Sequence, residues 1–488
     1  MKLAVVVQRY GADVNGGAEL HARYVAERLA RHARVEVLTS CARDYVTWRN
    51  ERPAGLETVN GIPVRRFPVR HERQPLEFGR RSRRVFEERH SIADELAWLD
   101  SEGPASPDLI AHLERHAGDF DFVVLFSYRY YHAWHAARRL HAKAVLVPTA
   151  ERDPAIGLGI FGPVFRGVRA VMYNSPEERT MIQAATGNED VPGVVVGVGS
   201  DVPDSTDPPR FRRKYRIRRP FAIYIGRIDE NKGCTELFEY FLRYAATFPN
   251  GLDLVLVGHP VMPIPKHRRI HHLGFIPDED KFDALAASDL LIMPSYFESL
   301  SMVALEAWAL GRPVLANGRC DVLKGQCIRS GAGLYYETYQ EFAETLYSLE
   351  SNGPLHARLG RNGRDYFRQH YTWPVIEGKY LDMFDRLRRE TGPRPQEPLG
   401  GWWARRQRRL RAAADVLASL PSGPVLSSTS SGAAALGASP PDSLGPASDV
   451  PLDASRPDGR THDRRARRPF GRRRPGSRDR STGGGRRS

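Results

Sequence analysis

Short apolar runs alternate with stretches of helical periodicity along most of this chain, and they do so twice. In the first series Leu3 to Gln8, Val35 to Leu38, Val64 to Phe67, Phe122 to Phe126, Ala144 to Val147, Ala170 to Tyr173 and Val194 to Val198 read as strands, and Ala18 to Arg31 reads as a helix. A second series follows the Pro-rich stretch Val202 to Pro209. Its strands are Phe221 to Ile225, Leu252 to Val257, Ile270 to Leu273, Leu290 to Met293 and Pro313 to Ala316, separated by helices such as Thr235 to Ala246 and Asp280 to Ala287. Alternation of this kind argues for mainly parallel sheets covered by helices, an α/β fold. A chain of 488 residues is too long for one ordinary core. Two doubly wound, Rossmann-like domains in tandem are expected, 1–203 and 204–373, then a closing or crossover helix at 374–392 behind Tyr371-Thr372-Trp373.

Beyond Glu397 the composition changes. Trp402 to Leu420 reads as an amphipathic helix, apolar at Leu410, Val416, Leu417 and Leu420 and basic at Arg405, Arg406, Arg408, Arg409 and Arg411. Residues 421–460 are rich in Pro, Ser, Gly and Ala and are expected to be disordered, so 393–488 forms a basic segment and tail. The net charge of +14 is partly local to that tail: Thr461 to Ser488 carries eleven arginines and two aspartates, or +9. The body is therefore only mildly basic. No segment approaches the roughly 20 apolar residues of a membrane span, and Met1-Lys2-Leu3 opens into a strand, so a cytoplasmic protein is expected. Cys41, Cys234, Cys320 and Cys327 lack the spacing of a zinc or redox site and read as buried or incidental thiols.

Chemistry concentrates in the second series. After the strand Leu290 to Met293, the segment Phe297-Glu298-Ser299-Leu300-Ser301 leads into a helix from Met302 to Leu310, which puts Glu298 in a loop and Glu306 inside the helix. A helix N-terminus offers unpaired N–H groups and partial positive charge to an anion, and a carboxylate beside it accepts from hydroxyls. After Ile225 comes Gly226-Arg227-Ile228-Asp229-Glu230-Asn231-Lys232-Gly233, whose two cations can enter the same crevice and pair with an anion. A solvated basic loop is the plainer account of those cations taken alone. Near the N-terminus, Asn15-Gly16-Gly17-Ala18-Glu19 removes side chains where the first helix begins and lets backbone N–H groups approach a ligand.

With those motifs placed, residues 1 to 390 resemble the GT-B-fold glycosyltransferases, and within them family 4, the retaining enzymes that use nucleotide-sugars. The resemblance implies two Rossmann-like domains facing across a cleft, with a nucleotide-sugar as substrate and neither metal nor other cofactor. It implies that Arg227, Lys232 and Glu298 act on the leaving group and donor sugar, and that Glu306 holds the ribose hydroxyls. Gly16, Gly17, Gly226, Gly258 and the backbone of Leu300 and Ser301 then line the donor, with Val257-Gly258 and Phe275-Ile276-Pro277 around the base. Many members carry a histidine after the strand corresponding to Ala144 to Val147. This chain has Pro148-Thr149-Ala150-Glu151-Arg152-Asp153-Pro154 there, so Glu151 or Asp153 stands in its place or the activity is altered.

The function implied is transfer of a hexose or related sugar to an acceptor hydroxyl, in synthesis of a bacterial-type cell-surface polysaccharide or glycolipid. His71 to Gly118 reads as an insertion with a helix around Arg83 to Leu99, and Arg80, Arg81, Arg83 and Arg84 suit a lipid-linked acceptor or an anionic membrane. Peripheral contact with the inner membrane face is the corresponding expectation, and a solvated helix face is the commoner origin of such runs. A sugar-nucleotide epimerase or a phosphorylase of the same fold is one rival reading, the latter needing a pyridoxal-binding lysine. A nucleic-acid-binding protein acting through the arginine tail is another, but the tail interleaves only Phe470 as an aromatic, and no nucleic acid partner is expected.

Overall fold

The structure, a computed structural model, describes residues 1–14, 16–390, 395–407 and 409–426. Asn15, Arg408, the disorder expected for 427–460 and the arginine tail lie outside the described residues. Fourteen strands are present among those described: β1 (Lys2–Val6), β2 (Arg34–Ser40), β3 (Gly55–Val59), β4 (Ile62–Phe67), β5 (Phe122–Phe126), β6 (Ala144–Val147), β7 (Ala170–Tyr173), β8 (Gly193–Val195), β9 (Phe221–Ile225), β10 (Asp253–Val257), β11 (Ile270–His272), β12 (Leu290–Met293), β13 (Val314–Asn317) and β14 (Gly333–Tyr336). They form two sheets, β3-β4-β2-β1-β5-β6-β7-β8 and β11-β10-β9-β12-β13-β14. Every pairing is parallel except β3 with β4.

Two strands lie outside the expected series. β3 joins β4 through Asn60-Gly61, both at positive φ (48° and 80°), the pairing that a two-residue hairpin turn selects. Its side chains are largely exposed, so no apolar run marks it. β14 is a short edge strand beside β13.

The insertion also differs from expectation. Instead of one helix around Arg83 to Leu99 there are two, Pro75–Glu87 and Ile92–Glu102, followed by Pro107–Arg115. Ser91 makes the break: its hydroxyl accepts from the Asp94 N–H at 3.3 Å while the Asp94 carboxylate accepts from the Ser91 N–H at 2.7 Å. This reciprocal cap starts a new helix where periodicity alone runs on. Arg80 and Arg81 pair with Glu77 at 2.7 and 3.0 Å and Arg84 pairs with Glu88 at 2.5 Å, so much of the expected basic face is neutralised on its own helix.

The helix Trp373–Arg389 crosses back to the first sheet, where Phe384 stacks on Phe122 with ring centroids 5.1 Å apart. Val124, Val145, Trp373, Ile376, Phe384, Ile223 and Leu291 belong to one continuous apolar core, so this helix joins the two sheets through shared packing. Beyond it, the single amphipathic helix expected over Trp402 to Leu420 is two short ones, Trp402–Gln407 and Ala413–Ala418. Between them Leu410 exchanges backbone hydrogen bonds with His90 (2.7 and 3.3 Å), which holds the chain extended. Residues 421–426, expected within the disordered stretch, are hydrogen-bonded to the body at Pro421 and Val425. All four cysteines are buried and free. No helix of the described residues is long and apolar enough to cross a membrane.

Candidate functional site

In the second sheet β9 lies between β10 and β12, so the chain leaves β9 toward one side of the sheet and resumes on the other at β12. Loops at such a switch point diverge and open a crevice at the carboxyl ends of the strands. The loop after β9 carries Arg227 and Lys232, and the loop after β12 carries Glu298. Gly233 lets the two loops touch: it sits at φ +74°, and a Cβ there would stand 2.0 Å from the Pro294 carbonyl oxygen. Gly258, after β10, approaches as closely, since its Cβ would lie 1.8 Å from the Gly226 carbonyl oxygen. The approach brings Lys232 Nζ to 2.8 Å from Glu298 Oε1. Burial pulls the Lys232 ammonium down, but the facing Glu298 and Glu151 carboxylates outweigh it and hold the group charged.

Asp229 organises this loop. Its carboxylate accepts from the Lys232 N–H at 2.8 Å and pairs with Arg227 Nε. Arg227 Nη1 then donates to the Tyr45 hydroxyl at 2.8 Å, and the Tyr45 ring also faces Arg9 at 5.5 Å. Tyr45 belongs to the first sheet's side, so Arg227 reaches across the cleft.

Glu306 belongs to a different group. On the buried face of Met302–Ala309, its Oε1 accepts from Ser200 at 2.9 Å and from Lys281 Nζ at 3.1 Å, while Oε2 is buried with no hydrogen-bond partner. A buried carboxylate oxygen without a donor is costly. Burial depresses Lys281, yet Glu306 and Asp278 raise it overall. Ser301 caps this helix, its hydroxyl accepting from the Ala304 N–H at 3.2 Å, and Leu300 is buried beside it. Around the expected base pocket, Val257 and Ile276 are buried, whereas Phe275 is exposed.

On the first sheet's edge the backbone is unusual. Ser127 after β5 and Thr149 after β6 both have positive φ, 64° and 49°, and their hydroxyls are 2.9 Å apart. A β-branched residue in that region is an outlier that surrounding structure must impose. Here it turns the chain so that Glu151 faces Lys232 and Glu298; burial first, then Glu298 and Asp153, push the Glu151 carboxyl up to about 7, against Lys232 and Arg129. Glu178 holds this turn from behind, accepting from Ala150 N–H and Asn174 N–H at 2.5 Å each, and its own complete burial raises it to about 8. Asp153 accepts from the Ala155 N–H at 2.7 Å, capping the turn Pro154–Gly157, and pairs with Arg129 at 2.8 Å. Gly16 precedes the helix Gly17–Leu29, and a Cβ there would strike the Glu19 carboxylate, itself bound to Arg9; at Gly17 the space is open.

The structure thus gathers Arg227, Lys232, Glu298 and Glu151 in one cleft, with a cavity of about 90 Å³ beside Glu298. Glu306 stands apart with its own lysine. Tyr45, Lys281, Ser200 and Glu178 were not singled out from sequence. Each is an isolated residue on an ordinary helix or loop, with no spacing to mark it.

Residues 207–366 match the family model described as glycosyl transferases group 1. A D-inositol 3-phosphate glycosyltransferase of Corynebacterium efficiens is 26% identical over 214 residues, covering 39% of this chain and 50% of its own length. An alpha-maltose-1-phosphate synthase of Mycobacterium tuberculosis is 25% identical over 193 residues, covering 35% and 48%. The chain spans about half the length of these curated relatives. Among solved structures, sucrose-phosphate synthase from Thermosynechococcus elongatus aligns with a TM-score of 0.59 at 18% identity, over 79% of this chain and 98% of that one. Anabaena HepE in complex with UDP-glucose aligns at 0.57 and 18%, over 79% and 100%. The architecture is the GT-B fold.

Proposed function

We propose that this protein is a retaining glycosyltransferase that moves a sugar from a nucleotide-sugar to an acceptor hydroxyl. The observation that carries the reading is the Lys232–Glu298 pair at the β9/β12 switch point, with Arg227 tied to the same loop through Asp229, inside the segment that matches the group 1 family. Two cations at the mouth of a crevice stabilise charge that grows on a diphosphate as the sugar departs, an interaction stronger in the transition state than before it. The N-terminus of Met302–Ala309 adds its backbone dipoles to the same end.

In the proposed reaction the bond between the anomeric carbon and the phosphate oxygen breaks, and the acceptor oxygen bonds that carbon from the same face. The acceptor's proton passes to the departing phosphate, so no protein nucleophile is assigned. Glu298, released from Lys232 by the incoming diphosphate, accepts from sugar hydroxyls. The unpartnered Oε2 of Glu306 accepts from the ribose, with Lys281 and Ser200 fixing the other oxygen. Glu151, which faces Lys232 and Glu298, stands where many members of the resembled family carry a histidine and takes over its contact with the donor sugar. Domain closure of 1–203 on 204–373, engaging Arg227 with Tyr45, completes the site.

The reading extends to a glycan or lipid-linked acceptor in cell-surface polysaccharide or glycolipid synthesis, at the inner membrane face. Trp402 and Trp403, 59% and 67% exposed beside Arg405 and Arg406, support that surface contact. A thermal-shift screen with UDP-, GDP- and ADP-sugars tests the donor, because a ligand that binds only the folded state raises its apparent stability. A stabilising donor and transfer abolished in Arg227→Ala and Glu298→Gln are expected; wild-type rates in both variants would overturn the assignment. Binding to anionic vesicles at low salt, lost at high salt, is expected of the membrane contact.

A further inference from the structure

The chain continues past the helix Trp373–Arg389 and returns to the cleft from outside both sheets. Glu397 anchors it, its carboxylate pairing with Arg166 and its carbonyl accepting from Arg138 at 2.8 Å. The helix Ala413–Ala418 then lies on the turn Pro154–Gly157 so closely that a Cβ on Gly157 would stand 2.3 Å from the Ala413 carbonyl oxygen. Arg152, adjacent to Glu151, donates to the carbonyls of Pro421 and Leu420 at 2.8 and 3.0 Å. Finally the Val425 N–H donates to Glu177 at 3.0 Å and its carbonyl accepts from Arg329 at 2.6 Å. Glu177 and Arg329 are themselves an ion pair, 5% and 7% exposed, one from each side of the cleft.

This path makes Pro421, Ser422 and Gly423 one wall of the cavity beside Glu298; Glu178 and Phe297 form others. Gly423 turns the wall at φ +108°, a conformation that favours glycine. We infer that residues 421–423 are a wall of the donor-sugar pocket, so that this C-terminal strap selects a neutral, unsubstituted sugar. The inference rests on the glycosyltransferase reading, which puts the donor sugar at Glu298.

Charge supports the sugar class. The cations lining this cavity are already engaged: Arg152 on the strap carbonyls, and Arg319 on Glu236 and Asn317. Glu298 and Asp321 also line it, so a uronate carboxylate entering here meets like charge with no unengaged guanidinium to pair with. With Pro421, Ser422 and Gly423 closing one side, the cavity of about 90 Å³ leaves little room for an N-acetyl group beside the sugar ring.

The test measures binding to the full-length protein of the nucleoside diphosphate that stabilises it most, and of its glucose, N-acetylglucosamine and glucuronate esters. Wild type is expected to prefer the glucose ester. Ser422→Trp fills the cavity, and should weaken the glucose ester by about tenfold or more while leaving the free diphosphate within about twofold. Val425→Pro deletes the donor to Glu177 and loosens the wall, and should narrow the gap between the glucose and N-acetylglucosamine esters by about fivefold. The free diphosphate serves as the folding control for both. If both variants bind it normally and the ratios among its esters stay at wild-type values, the strap is a brace and the inference falls. If wild type binds no nucleoside diphosphate or ester, the glycosyltransferase reading itself fails.

Discussion

The carboxyl edges of the two sheets carry charge in opposite ways. At the β9/β12 edge, cations face carboxylates at hydrogen-bond distance, Lys232 against Glu298 and Arg227 against Asp229. At the β5/β6 edge, Glu151 and Glu178 crowd together under burial and their carboxyls are pushed up to about 7 and 8. The first arrangement keeps fixed charge ready for an anion. The second stores protons near neutral pH and is held by a strained backbone at Ser127 and Thr149. The proposed glycosyl transfer uses both: a cationic end for the leaving diphosphate, and a less charged end where a hydroxyl approaches.

The sharpest break in that comparison is removal of a cation. Lys232→Ala is expected to lower the transfer rate by roughly 100- to 1,000-fold, the cost of losing one preorganised donor to developing charge. Initial rates with saturating donor measure it. A melting temperature near wild type shows that the loss is chemical, because the ammonium is about 30% exposed.

Next in size is the loop that carries the cation. Gly233→Ala meets the Pro294 carbonyl and a φ of +74°, and is expected to cost about 2 kcal/mol or more of stability. The rate should fall by roughly tenfold or more as Lys232 shifts from Glu298. Urea titration and rates on the same preparation separate the two effects.

The other edge answers to pH. Burial raises the Glu178 carboxyl from 4.5 to about 8, so the folded chain keeps a proton that the unfolded chain has released. Its contribution to stability is therefore complete below pH 4.5 and is lost as pH rises through about 8. Urea midpoints should show that decline in wild type. In Glu178→Gln the decline should shrink to the part below about pH 7 that Glu151 contributes, with a lower midpoint at pH 5, because the amide NH2 opposes a backbone N–H where a carboxyl oxygen had accepted from it.

The smallest expected effect lies where the two edges meet. Tyr45→Phe removes the hydroxyl that accepts from Arg227 but keeps the ring between Arg227 and Arg9. A roughly twofold to fivefold rise in KM for the donor with little change in kcat is expected, the loss of one half-exposed hydrogen bond. A large fall in kcat instead would make Tyr45 part of the transition-state apparatus and blur the division between edges.

How far each edge could be foreseen differs for the same physical reason. Glu298, Arg227 and Lys232 follow apolar runs directly, so a strand-then-loop reading puts them at a sheet edge without knowing which strands are neighbours. Glu151 and Asp153 are two positions apart on one loop, and nothing local says that Asp153 caps a turn and pairs with Arg129 while Glu151 faces the cleft. Helix ends were similarly uneven. The cap at Ser91 is a local signal that splits one expected helix into two, but the pairing of Leu410 with His90 joins residues 320 positions apart and has no local signal.

By itself the sequence determined the alternation of strands and helices and the loops bearing the charged residues, because short-range periodicity and turn chemistry set those features. Only the tertiary structure decided the strand order that makes β9/β12 a switch point and gave Glu306 to Lys281 rather than Lys232. It also tied residues 421–425, expected to be floppy, to Arg152, Glu177 and Arg329, with 421–423 lining the cavity beside Glu298. Those outcomes depend on contacts between distant segments, whose energies arise from burial and hydrogen-bond partners that no local window contains.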